Sequence, residues 1–292
     1  MSGLEFLLAG TLAAALPMLL AALGEMVVEK TGLLNLGLEG MMALGAAIAF
    51  ICVYHSGSHG LGFLAAAFAG ALLSMLFAIL VIGVRANAVA TGLAVGVLGL
   101  GLSALFGKSY ESLTVDGLPE IGLPVLSQIP LVGPTLFTQD IVVWLTILGT
   151  VGLWYVLNRT KLGLIISAVG ENAEAARAIG YQVGAIRCAA VGFGGALCGL
   201  AGAYASTVYT PLWADGMIAG RGWIALALVV FGTWKTGRVV FGALLFGLLS
   251  LGELTAQAVG VGLPSQLLSS LPYIVTILML TVISSRGLKS RT

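Results

Sequence analysis

Gly170-Glu171-Asn172-Ala173-Glu174-Ala175-Ala176-Arg177-Ala178-Ile179-Gly180 is a water-soluble interval in a chain otherwise built from long apolar runs. Those runs stop between Arg159 and Arg187. The interval reads as one short helix. Glu171 and Glu174 lie near its positive end, Glu174 and Arg177 share a face three residues apart, and Gly180 is placed to stop it. A charged helix slung between two membrane spans, on the side rich in Lys and Arg, is a surface for a soluble partner. An ordinary loop helix is the plainer reading of the same residues.

Composition explains why the interval stands out. The chain has 292 residues, 59% hydrophobic and 9% charged, with mean hydropathy +1.08. A soluble domain carries about 25% charged residues, so the chain belongs in a membrane and lipid is its main surroundings. A net charge of +1 argues against nucleic acid as a partner. The 42 glycines suit membrane helices that pack backbone to backbone. Cys52, Cys188 and Cys198 fall in apolar runs without metal or redox spacing and read as packing residues. The first apolar run has no basic leader and no cleavage site, so it reads as a retained span.

A membrane helix needs roughly 20 mostly apolar residues. Spans are expected near 4–24, 33–54, 61–83, 87–107, 139–158, 187–208, 217–234, 239–259 and 266–284. Nine spans place Lys30, Arg85, the cluster from Arg159 to Arg187, Lys235, Arg238, Arg286, Lys289 and Arg291 on one side. The positive-inside bias makes that side, and the C-terminus, cytoplasmic. Lys108 falls outside. Residues 108–138, broken by Pro119, Pro124, Pro130 and Pro134, read as a periplasmic cap or a plain connecting loop.

Two segments look alike. Aligning Glu39 with Arg221 matches Gly40 with Gly222, Ala43 with Ala225 and Leu44 with Leu226. The two run in opposite directions through the membrane, as in an inverted repeat. The expectation is one all-α polytopic membrane domain over 1–292. Its first repeat covers about 1–107, the periplasmic segment 108–138, and the second repeat about 139–285 with a cytoplasmic loop at 159–187. Both segments also read as broken helices, with Asn35 and Glu39 in one and Gly220-Arg221-Gly222 in the other. A charge at that depth costs about 2.5–3.5 kcal/mol on insertion scales. Glu39 and Arg221 should therefore face an interior or an interface. They either line a substrate path or hold a broken helix by capping or a salt bridge.

No nucleotide site is legible. Gly107-Lys108-Ser109 imitates the end of a phosphate loop, but position 102, where the motif needs Gly, is Leu. His55 and His59 lie four apart in a short outer loop without further ligands, and read as solvated histidines. No catalytic residue, metal site or cofactor is expected. Energy must come from a partner or an ion gradient. A gradient-driven transporter would use Glu39 and Glu253 as its carboxylate handles.

Several stretches together resemble one family. Glu25-Met26-Val27-Val28-Glu29-Lys30-Thr31-Gly32-Leu33-Leu34-Asn35-Leu36-Gly37-Leu38-Glu39-Gly40-Met41-Met42 is similar to the opening signature of bacterial ABC-importer permeases for nucleosides and simple sugars. These share a broad group with the ribose and branched-chain amino acid permeases. Ala86-Asn87-Ala88-Val89-Ala90-Thr91-Gly92-Leu93 resembles the family's fourth-span signature. Gly220-Arg221-Gly222-Trp223-Ile224-Ala225-Leu226-Ala227 resembles a later one. Glu174 to Gly180, as Glu-Ala-Ala-x-x-x-Gly, resembles the loop that docks on the ATPase. The importer motif's continuation, Ile-x-Leu-Pro, is missing at Ile186-Arg187-Cys188-Ala189-Ala190.

The resemblance implies a non-enzymatic permease in the bacterial cytoplasmic membrane. Its partners would be a second permease subunit, a cytoplasmic ATPase with two nucleotide-binding halves that holds the ATP, and a periplasmic or lipid-anchored substrate-binding protein. Nucleosides or purine bases would be the cargo, with simple sugars or flavins as alternatives. Gly170, Glu171, Glu174, Ala175, Ala176, Arg177 and Gly180 would couple to the ATPase and move the flanking spans at 139–158 and 187–208. Asn35, Glu39, Asn87, Thr91, Arg221 and Trp223 are the candidates for the path or the broken helices. Trp223 would stack on a base, or anchor at the interface as Trp commonly does.

Overall fold

Apolar runs that must satisfy their own backbone groups in lipid have one local solution, the helix. The computed structural model of the chain describes residues 3–119, 121–122, 138–258, 270, 274–275, 277 and 281. The helices are α1 (Gly3–Glu29), α2 (Leu38–Ser56), α3 (His59–Ala78), α4 (Ala88–Gly107), α5 (Ile141–Arg159), α6 (Lys161–Glu171), α7 (Ala173–Ala178), α8 (Val183–Tyr204), α9 (Arg221–Gly232) and α10 (Thr236–Ala258). Wider π turns extend α3 over Ile79–Gly83 and α8 over Ala205–Tyr209. Among the described residues seven helices are long and apolar enough to cross a membrane: α1 to α5, α8 and α10.

The expected nine spans are revised accordingly. The run at 217–234 yields only the 12 residues of α9, about 18 Å of helix against a hydrocarbon core of about 30 Å. Gly220 at φ +81 starts this helix, and Thr233 and Trp234, both at positive φ, end it. The run at 33–54 becomes helical only from Leu38. The span at 266–284 lies almost wholly outside the described residues. In the outer segment, Ile121–Gly122 (β1) pairs antiparallel with Thr138–Gln139 (β2). Residues 112–115 pair with the lead-in to α9, where Trp213 N–H donates to the Leu113 carbonyl at 3.1 Å.

Helix contacts come in matched sets. α1 lies on α10 as α8 lies on α3; α1 meets α9 as α8 meets α2; α9 meets α10 as α2 meets α3. Small residues make these approaches possible. Gly37, just before α2, and Gly40 within it press on Gly92, Gly96 and Gly99 of α4, and Gly24 of α1 crosses Gly194 of α8. Hydroxyls stitch the same seams: Ser103 donates to the Ala43 carbonyl and Ser206 to the Ala46 carbonyl, both at 2.9 Å. The main core gathers around Met26, Met41, Met42, Phe50, Phe77 and Leu228.

α5 lies at the edge of this core, packing Leu153 and Leu157 against it. Asp140 caps it, its Oδ1 accepting the N–H groups of Val142 (2.8 Å) and Val143 (3.1 Å). The other carboxylate oxygen accepts the Tyr204 hydroxyl at 3.0 Å. Leu16, Val143 and Tyr204 bury together at this end. Further along, Leu145, Leu148 and Val151 are exposed.

Candidate functional site

The two similar segments meet. Each is a non-helical lead-in followed by a helix start, and the starts of α2 and α9 touch. Gly220 has no Cβ and sits at φ +81, so its N–H is free to turn toward α2. That N–H donates to Glu39 Oε1 at 2.9 Å. A Cβ on Gly222 would lie 2.6 Å from Glu39 Cα, so only glycine permits the crossing. The Glu39 carboxylate therefore sits at the positive end of α9, where a negative charge is favoured. Arg221, the first residue of α9, does not pair with it: among the described residues no ion pair joins them. The Arg221 guanidinium lies 5.3 Å over the Tyr209 ring instead. Glu39 Oε2 and Arg221 Nη1 are both buried without a hydrogen-bond partner.

Asn35 holds the lead-in to α2. It is 2% exposed. Its N–H donates to Glu25 Oε1 of α1 at 2.9 Å, and its Oδ1 accepts the Gly37 N–H at 2.9 Å. Its amide nitrogen reaches Met41 Sδ at 3.6 Å. All of its polar capacity is thus directed into the fold. Asn87 caps α4, accepting the Ala90 N–H at 3.0 Å. Thr91 is buried one turn later. Trp223 is about half exposed on α9. The crossing thus seats Glu39 against Gly220 and Gly222 on either side of Arg221, while Asn35 is tied to Glu25 and Gly37 one turn earlier.

The soluble interval differs from the single helix expected. Asn172 leaves the helical backbone and divides it into α6 and α7. Its Oδ1 accepts the N–H groups of Glu174 (3.1 Å) and Ala175 (2.9 Å), the ordinary work of an N-cap asparagine. Glu171 consequently ends α6, where the dipole disfavours it, instead of starting α7. Gly180, at φ +95, closes α7 as expected, with its N–H on the Arg177 carbonyl and that of Tyr181 on the Ala176 carbonyl. Ala176 is buried with Val169 and Val183. Glu174, Ala175, Arg177 and Ile179 face outward.

A joint links this element to the crossing, and sequence reasoning missed it. Gly170 lies against the turn between α1 and α2: a Cβ there would strike the Lys30 carbonyl oxygen and come within 3.2 Å of the Gly32 nitrogen. Arg187 Nε donates to the Thr31 carbonyl at 3.0 Å. Thr31 is fully buried, its hydroxyl on the Val28 carbonyl. A continuous run of packed backbone therefore leads from α6 and the start of α8 through residues 30–32 to Asn35, and on to the Glu39–Gly220 contact. The expected route ran only through the spans flanking the loop. Glu25 was visible as a carboxylate in an apolar run, but nothing in sequence spacing ties Arg187 to Thr31, 156 residues away.

Comparison with known proteins decides the class. The family described as branched-chain amino acid transport system / permease component matches residues 7–283. The chain belongs to this permease family. The permease is 37% identical over 297 residues to a putative glucose ABC transporter permease protein, TsgC13, of Haloferax volcanii, covering 94% of this chain and 90% of the relative. It is 32% identical to the nucleoside ABC transporter permease protein NupC of Lactococcus lactis (98% and 94% covered). It is 33% identical to the guanosine ABC transporter permease protein NupQ of Bacillus subtilis (95% and 92% covered). No solved structure matches it. The permease is a multi-pass membrane protein. Among its described residues no group of His, Cys, Asp and Glu is placed to hold a metal, and His55 Nε2 instead meets the Tyr110 hydroxyl at 2.7 Å.

Proposed function

We propose that this permease carries nucleosides or purine bases into the cell, driven by a separate ATPase that docks on α7. Two relatives named for nucleoside and guanosine transport support that cargo, while the relative named for glucose keeps simple sugars as the alternative. The observation that carries the mechanism is the joint. The outward face of α7 is free to take a partner, and its inner side packs on α6 and α8, which seat on the turn before α2 through Gly170 and Arg187. Movement imposed on α6 and α7 reaches the crossing of α2 and α9 through contacts that leave no slack, because packed interiors shift between discrete arrangements and do not deform smoothly. Nucleotide-driven closure of the ATPase would tilt the two helix starts and open the path alternately to each side. The two halves, 1–107 and 139–285, would act as inverted repeats about the α1–α8 and α2–α9 contacts.

The partners would be a second permease subunit, an ATPase with two nucleotide-binding halves and a substrate-binding protein outside the membrane. The distribution of Lys and Arg supports a cytoplasmic α6–α7 and a cytoplasmic C-terminus in the bacterial inner membrane. Glu174→Arg tests the docking. Reversing one exposed charge on α7 should leave the chain inserted but abolish both uptake and substrate-stimulated ATP hydrolysis. Normal uptake by that variant would remove α7 from the ATPase interface. Mass spectrometry of what the chain retains from its own membrane in mild detergent identifies the partners. Binding of nucleosides, bases and sugars to the substrate-binding protein then settles the cargo.

A further inference from the structure

We propose that the space between α5 and the α1–α8 pair holds the acyl chains of an anionic phospholipid whose headgroup is bound by Arg159 and Lys161. The cavity there has a volume of about 830 Å³. It runs the length of α5, from Gly60 and Ile141 at one end to Leu157 and Leu162 at the other. Its walls include Leu23 and Val27 of α1 and Phe193 and Leu197 of α8. The few polar side chains in the wall are mostly committed elsewhere: the Thr146 hydroxyl donates to the Val142 carbonyl at 2.8 Å and the Thr150 hydroxyl to the Thr146 carbonyl at 2.7 Å. His59, at the end away from Arg159, carries the lining nitrogen that lacks a partner.

Such a cavity does not suit a nucleoside or a sugar. Away from His59, each hydroxyl or amide moved into it would lose water and meet an apolar wall. A void is equally unsuitable, because its lining would forgo dispersion contacts along its whole length. Hydrocarbon chains satisfy the walls and are available at this depth. Charge selects the lipid. Arg159 ends α5 and Lys161 begins α6, both exposed and within two residues in sequence of the lining residues Leu157 and Leu162. Basic groups at the mouth of an apolar space between helices hold anionic headgroups. The site also has a consequence for movement. α5 is pinned at its far end by Asp140 and Tyr204 and joined at its near end to α6, so the lipid fills the room in which α5 would swing.

The test uses the full chain in nanodiscs of phosphatidylethanolamine with and without phosphatidylglycerol, washed in detergent and weighed by native mass spectrometry. The wild type should retain phosphatidylglycerol in preference to phosphatidylethanolamine. Gly149→Leu with Gly152→Leu fills the cavity from positions where an added Cβ meets nothing within 4 Å, and should lose the retained lipid of both kinds. Arg159→Gln with Lys161→Gln should keep lipid and lose the preference. A melting curve read at the buried Cys198 thiol confirms that each variant is folded. A folded wild type that retains no lipid, or a filled variant that retains as much as wild type, overturns the site. A polypeptide held there in place of lipid overturns it too. An unchanged preference in the Arg159/Lys161 variant overturns the headgroup assignment.

Discussion

Removing the Glu39 carboxylate tests the crossing of α2 and α9 most directly. Glu39 Oε1 accepts the Gly220 N–H at 2.9 Å, and a hydrogen bond to a charged group contributes roughly 1.5–3 kcal/mol. Glu39→Ala loses that bond and strands the Gly220 N–H at the start of α9. Glu39→Gln keeps an acceptor oxygen but loses the charge at the helix dipole, a term of about 0.3–1 kcal/mol, or up to about 2 where partly buried. A chain of this size melts roughly 2–4 °C lower per kcal/mol. The expected shifts are therefore about 3–12 °C for Ala and about 1–8 °C for Gln. The assay is thermal unfolding of the purified chain, read by a thiol-reactive dye at Cys198, which is 2% exposed. Cys52 and Cys188, both more accessible, are first replaced by Ala. Glu39→Ala melting with the wild type would show that the bond carries no net stability. Glu39→Gln melting as low as Glu39→Ala would show that charge, and not the Gly220 contact, is what Glu39 provides.

Other perturbations separate the joint from its surroundings. Gly170→Ala drives a methyl group into the Lys30 carbonyl; overpacking costs about 1–3 kcal/mol, so uptake per ATP hydrolysed should fall roughly fivefold or more. Gly184→Ala, whose Cβ meets only Ile82 at 3.8 Å, should leave that ratio unchanged in the same reconstituted assay. Asn172→Ala removes the cap of α7 and should cost about 1 kcal/mol of local stability, seen as faster amide exchange confined to 173–178. Tyr204→Phe frees the inner oxygen of Asp140 and should lower the melting temperature by more than Tyr155→Phe, a substitution on an exposed stretch of α5. Equal shifts for those two would remove the pin.

Much of the class was legible without coordinates, because lipid leaves the chain few choices. Apolar length alone marks α1 to α5, α8 and α10, and Gly180 announces the end of α7 because a left-handed turn needs it. The errors have local causes. Asn172 sits in a helical pattern, yet its side chain competes for the backbone as a cap. The run at 217–234 has the apolar length of a full span, but hydropathy is blind to Gly220 and to the positive φ values at Thr233 and Trp234. The likeness between Glu39-Gly40 and Arg221-Gly222 was visible in sequence. Of the two structural readings it allows, the salt bridge does not form and capping does: Glu39 accepts the Gly220 N–H at the start of α9, while Arg221 lies over Tyr209.

Sequence by itself determined that this chain lives in a membrane, that one polar interval interrupts its spans, and that glycines lie where helices must close up. Those properties follow from transfer energies and backbone sterics, which each residue carries with it. Tertiary structure alone decided that Gly170 and Arg187 seat on the α1–α2 turn, that Asp140 pins α5 to Tyr204, and that a Glu39 oxygen starts α9 at Gly220. Each of these contacts joins residues far apart in the chain. Their partners are chosen by how the helices pack, and no local pattern encodes that choice.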